Sequence, residues 1–171
     1  MKIIFEYCLR IDKVLAFILN AVVTLLGLFI SFALFVGIVS RSVLGIQVFG
    51  LEELVLMAAM WVYMLGAALA SRERSHLSAD FFQAFTDNEC LHDSMRIVAT
   101  VVSLVMAAFF VSWSYSLFSW GFEKGQTTPV FSIPQYISQG SLLVASILLL
   151  LYTLRDLIGD IGKLFIKPLA Q

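Results

Sequence analysis

The residues of this chain that could do chemistry are few, and their spacing argues against most of it. His76 and His92 both fall outside the long apolar stretches, so haem ligation between membrane helices is disfavoured. His76 and Asp80 lie four apart and can share a helix face. That suits bracing of a local loop better than a metal site, which wants more ligands. Cys8 and Cys90 sit in different segments without CxxC or Cys/His spacing, so neither a redox pair nor a zinc centre is expected. No Ser-His-Asp set, acid–base carboxylate pair or glycine-rich phosphate loop occurs; the sequence reads as non-enzymatic, with no cofactor in this chain. The charges of most interest are Arg41, Glu52 and Glu53, which border two apolar stretches. Carboxylates at the start of a helix meet its positive dipole end. Arg41 is placed to pair with one of them across the short loop, or all three simply sit in the headgroup layer.

The elements that position these groups follow from where charge is missing. The 171 residues are 60% hydrophobic and 13% charged, with a net charge of −1. Soluble domains carry about 25% charged residues. Uncharged runs cover Val14 to Ser40, Leu54 to Ser71, Ile97 to Phe122 and residues 125 to 154, the last interrupted early by Pro129 and Pro134. A hydrocarbon core of about 30 Å takes about 20 helical residues. Backbone groups cannot stay unpaired in lipid, so these runs predict helices. The fold class expected is an all-α membrane protein with four transmembrane helices, at 14–40, 52–71, 97–121 and 134–155, in a single membrane domain. The first run is too long for a signal-peptide core and is read as retained.

Lysine and arginine set the expected orientation. With the N-terminus inside, the inner segments hold Lys2, Arg10, Lys13, Arg72, Arg74, Arg96, Arg155, Lys163 and Lys167, and the outer loops only Arg41 and Lys124. That asymmetry predicts cytoplasmic N- and C-termini. Scattered basic residues and the small net charge predict no nucleic-acid partner.

The connections are patterned too. Lys2, Glu6, Arg10 and Lys13 form a polar stripe opposite Ile3, Ile4, Tyr7, Ile11 and Leu15, which suits an interfacial helix over 1–13. Phe81, Phe82 and Phe85 predict another interfacial amphipathic helix in the inner loop, 72–96, before a turn at Asp87-Asn88-Glu89. The outer loop, 122–133, is bounded by Gly121, Gly125, Pro129 and Pro134 and reads as irregular and partly rigid, exposing Glu123 and Lys124. The segment 156–171 reads as a cytoplasmic tail. The expected spans hold no ionisable interior group. Their polar content is stripes of small residues: Asn20, Thr24, Gly27 and Ser31 on the first, Ala59, Tyr63, Gly66 and Ala70 on the second, Ser138, Ser141 and Ala145 on the fourth. Such stripes allow close helix packing. Ion-conducting bundles keep charges inside, so the chain reads as built to pack rather than to conduct.

Taken in order, Ser40-Arg41, Glu52-Glu53, Gly66-Ala67-Ala68, Arg72, the run His76-Leu77-Ser78-Ala79-Asp80 and the segment Gly125 to Pro134 resemble the small membrane subunit of TRAP (tripartite ATP-independent periplasmic) transporters. The resemblance spans roughly residues 10 to 155; Leu51 after Gly50 departs from the family's Ser or Thr after Trp. It implies a subunit of the bacterial inner membrane that scaffolds a large transmembrane subunit. That large subunit would bind the sodium ions and an organic acid, a C4-dicarboxylate or sialic acid. A periplasmic substrate-binding protein would deliver the acid and dock partly on this chain; membrane lipids complete the partners. By residue, the resemblance implies structural or interface roles for Arg41, Glu52, Glu53 and Gly66. Arg72, His76 and Asp80 become inner-loop organisers, and Glu123, Lys124, Pro129 and Pro134 contacts on the outer loop. The alternatives are a self-assembling exporter or channel, which needs a polar residue inside a span, and an oxidoreductase membrane anchor, which needs intramembrane histidines.

Overall fold

The computed structural model describes residues 2–73 and 89–166. Four helices make it up: α1 (Lys2–Val43), α2 (Leu51–Arg72), α3 (Glu89–Lys124) and α4 (Tyr136–Ile166). All four are long and apolar enough to cross a membrane, so the all-α, four-span architecture stands. In space they line up in the order α1, α2, α4, α3, each packed mainly on its neighbour in that row. The loops 44–50 and 125–135 share one end, here the hairpin end. Lys2, Arg72, Glu89 and Ile166, the opposite ends of the same helices, share the other, the terminal end.

The helices are longer than the uncharged runs. α1 is unbroken from Lys2 to Val43, so the segment expected as a separate 1–13 helix joins the 14–40 span directly. At about 1.5 Å per residue α1 is roughly 63 Å long, about twice a hydrocarbon core. α3 continues past residue 121 to Lys124, placing Glu123 and Lys124 on a helix end rather than in a loop. Gly121 lies inside this helix and faces the start of α4, where a Cβ would collide with the Gln139 side chain. α4 runs on through the expected tail boundary to Ile166, carrying Arg155, Asp156 and Asp160. The expected inner-loop helix and Asp87-Asn88 fall on 74–88, outside the described residues.

Packing uses small residues, on partly different stripes from those expected. On α4, Ser141 and Ala145 are buried as the pattern predicted, and Ser146 beside them exchanges a 2.8 Å hydrogen bond with Ser114 of α3. On α1, however, the buried positions are Ala16, Leu19, Ala33 and Ser40, while Asn20, Thr24 and Ser31 are exposed. For Ser31 the reason is visible: its Oγ donates to the Gly27 carbonyl of its own helix at 2.9 Å. A hydroxyl satisfied within its helix needs no neighbour. On α2 the seam is Ala58, Leu65, Ala68 and Ser71, with Tyr63 exposed.

Candidate functional site

Two polar junctions, one at each end of the row, bring together charged residues from different parts of the chain. At the hairpin end α1 closes with a left-handed Gly45 (φ 65°), across which the Ile46 N–H reaches the Ser40 carbonyl at 3.3 Å. Ser40 Oγ, part-buried, donates to the Ile46 carbonyl at 2.9 Å, so one residue, through its carbonyl and its hydroxyl, holds the turn from both sides. Gly50 then caps α2 in the left-handed region, φ 84°, with its carbonyl accepting from the Glu53 N–H at 3.1 Å. A side chain at residue 50 would be strained there and would also meet the Phe131 ring.

Glu53 is freed by this arrangement from capping its own helix. Its carboxylate accepts the Val130 N–H at 2.8 Å and the Phe131 N–H at 3.1 Å, from the loop that joins α3 to α4. That loop has order of its own. Thr128 N–H donates to the Ile133 carbonyl at 2.9 Å, Gln135 N–H to the Gln126 carbonyl at 2.8 Å, and Thr127 and Pro134 form an isolated antiparallel bridge. The Ile133 N–H donates to Thr128 Oγ1 at 3.1 Å, and Ser132 takes a left-handed conformation, φ 53°. Tyr136 anchors the loop's far side, edge-on to Phe118 and Phe122 of α3 at ring distances of 6.2 and 5.5 Å. The result is a small rigid knob pinned to the start of α2.

At the terminal end the charges are more buried. Arg72, in the last turn of α2, makes a two-pronged contact to Asp12 of α1: Nη2 to Oδ2 at 2.7 Å and Nε to both oxygens at 3.1 Å. Arg155 of α4 donates through Nη2 to the Arg72 carbonyl at 2.9 Å, satisfying an orphan group at the helix C-terminus. The same guanidinium pairs with Asp156 at 2.9 Å and lies 5.2 Å from the centre of the Tyr152 ring. Asp156 and Asp160 are 2% and 3% exposed, and Asp160 Oδ2 accepts from Thr100 of α3 at 3.3 Å. Asp12, Arg72, Arg155 and Asp160 therefore link all four helices through polar contacts. The Arg155, Asp156 and Asp160 contacts lie at or beyond the expected end of the fourth span, and the Asp12–Arg72 pair joins residues sixty apart. The legible signal was spacing: Tyr152, Asp156 and Asp160 recur every four residues and continue the face of Ser141 and Ala145.

The expected residues distribute as follows. Glu53 and Arg72 sit at the two junctions. Arg41 and Glu52 are exposed at the hairpin end and border one cavity, and Arg41 forms no ion pair with Glu52 or Glu53. Both Glu53 oxygens are engaged by backbone donors instead, so the anticipated Arg41 clamp is replaced by a clamp onto the 125–135 loop. Glu123 and Lys124 are exposed at the end of α3, Pro129 is exposed beside the cavity, and Pro134 is half-buried in the bridge. Gly66 lies within α2 with open space where a Cβ would point. His76 and Asp80 lie outside the described residues.

No curated protein matches the chain. A family model does: the DctQ component of tripartite ATP-independent periplasmic transporters matches residues 30–163. That range holds the whole hairpin-end junction and the α2, α3 and α4 members of the terminal one, Asp12 alone lying outside it. With four membrane-capable helices and a match over most of its length, the chain belongs to the DctQ family, the small inner-membrane subunit of TRAP transporters and a transport component rather than an enzyme.

Proposed function

We propose that this subunit braces the large transmembrane subunit of a sodium-coupled TRAP transporter and offers part of the docking surface for the periplasmic binding protein. The observation that carries this reading is the one-sided packing of α1. Only one of its long faces meets another helix, and the outward one carries Asn20 and Thr24 among exposed phenylalanines and leucines. Polar groups facing lipid are disfavoured unless a neighbouring helix meets them. A large hydrophobic partner supplies that neighbour. The charged groups sit at the helix ends and leave no ionisable path across the middle, as a brace requires and a conduit does not.

The lysine and arginine asymmetry places the hairpin end outside and both termini in the cytoplasm. The pinned 125–135 knob, with Glu123 and Lys124 beside it, then faces the periplasm as a preformed surface. The transported solute is an organic acid of the C4-dicarboxylate or sialic acid class, bound with its sodium ions in the large subunit. Charge reversal at both Glu123 and Lys124 is expected to slow binding-protein-dependent uptake without lowering the amount of assembled membrane complex. Unchanged uptake kinetics would remove this surface from docking, and solute flux through a homo-oligomer of this chain alone would overturn the brace.

A further inference from the structure

A cavity of about 670 Å³ opens at the hairpin end between the close of α1 and the start of α2. Its walls are of two kinds. Leu34 and Ile38 of α1 and Leu56 of α2 give it an apolar wall and are 48%, 67% and 67% exposed, so it is open along that wall. Arg41, Gln47, Glu52 and Glu53 give it polar lining, and of the two carboxylates Glu53 is already engaged by the Val130 and Phe131 amides. Arg41 and Glu52 are both exposed, of opposite charge, and among the described residues unpaired with each other or with another side chain.

The occupant such a cavity fits must be apolar below and bear both signs of charge above. An anionic headgroup would satisfy Arg41 and be repelled by Glu52; a purely cationic one would do the reverse. A zwitterionic amino headgroup satisfies both, its phosphate on the guanidinium and its ammonium on the carboxylate. We infer that the α1–α2 cavity binds one glycerophospholipid of the phosphoethanolamine type. Phosphate lies on Arg41, ammonium on Glu52, and an acyl chain runs over Leu34, Ile38 and Leu56. Bound there, the lipid fills the cleft beside the Gly37–Leu51 approach of the two helices and fixes the depth of this end in the membrane.

The test uses the full chain co-expressed with its large subunit and placed in nanodiscs containing a photoactivatable phosphatidylethanolamine or phosphatidylglycerol. Labelled peptides are mapped by mass spectrometry. The expected result is phosphatidylethanolamine labelling within residues 34–56 that exceeds phosphatidylglycerol labelling. Arg41→Gln should reduce it about tenfold, the loss of one charge-assisted contact. Glu52→Gln should abolish the preference between the two lipids. Leu56→Trp, which fills the cavity from its exposed wall and touches neither charge, should also lose the label. Helical content and elution volume verify that each variant is folded. Equal labelling by both lipids in the unaltered chain, or labelling indifferent to these substitutions, means ordinary boundary lipid and overturns the proposal. So does exclusion of both lipids from 34–56 by a segment of the large subunit.

Discussion

Glu53 stands three positions after the Gly50 cap, where a carboxylate often turns back to cap its own helix. Here it reaches across more than seventy residues of sequence to two backbone N–H groups of the α3–α4 loop. Its neighbour Glu52, on the same helix turn, stays exposed with no such partner. The two adjacent acids thus have different work, which adjacency in sequence hides. Glu53→Ala should leave the Val130 and Phe131 amides without their acceptor and speed hydrogen exchange of peptides covering 128–134 at least severalfold. Glu52→Ala should leave those peptides unchanged. Equal effects of the two substitutions would show that net charge, rather than the clamp, orders the loop.

Among the elements, α2 gives a charged side chain to each junction. It gives Glu53 to the hairpin end and Arg72, with its carbonyl, to the terminal end. The Arg72–Asp12 pair is about three-quarters shielded on each side, and its geometry is bidentate. Shielding raises an ion pair above the small value of an exposed one, and removing one partner strands the other. A double-mutant cycle with Asp12→Ala and Arg72→Ala, read by thermal unfolding in detergent, should give a coupling of roughly 1–2 kcal/mol. Arg72→Lys should recover little of it, since a lysine offers a point charge where the site takes a planar fork. Additive losses would show that α1 is held to α2 by its Ala16–Leu19–Ala33 seam alone.

At the scale of the whole molecule, the row α1–α2–α4–α3 leaves α1 at an edge with a single extensive neighbour. On the proposed reading, its outward face is the surface offered to the large subunit. Asn20→Leu should therefore weaken co-purification of the two subunits by about 1 kcal/mol, a several-fold drop, while membrane insertion of this chain is unchanged or improved. Full co-purification with Asn20→Leu and Thr24→Leu together would move the partner contact to another helix. The 63 Å reach of α1 adds to this: roughly half of it exceeds a hydrocarbon core, so the helix either tilts strongly or stands out beyond the bilayer on its terminal side.

The four-helix membrane architecture was legible from sequence because lipid leaves no choice. A run of twenty apolar residues must be helical to satisfy its backbone, so the absence of charge from Val14 to Ser40 or Leu54 to Ser71 is sufficient. The family was legible for a related reason: Arg41, Glu52-Glu53 and the loop to Pro134 stand at helix ends, where local order keeps their spacing readable. What only the tertiary structure decided was which charges meet. Asp12 and Arg72 are sixty residues apart, as are Thr100 and Asp160, and no local pattern encodes either pairing. The sequence also placed the end of the fourth helix too early, because a charge excludes a residue from bare lipid but not from a protein interior that supplies hydrogen-bond partners. The α1 stripe shows the converse: Asn20, Thr24, Gly27 and Ser31 share a face, but whether this chain or another covers it depends on where α2 lies.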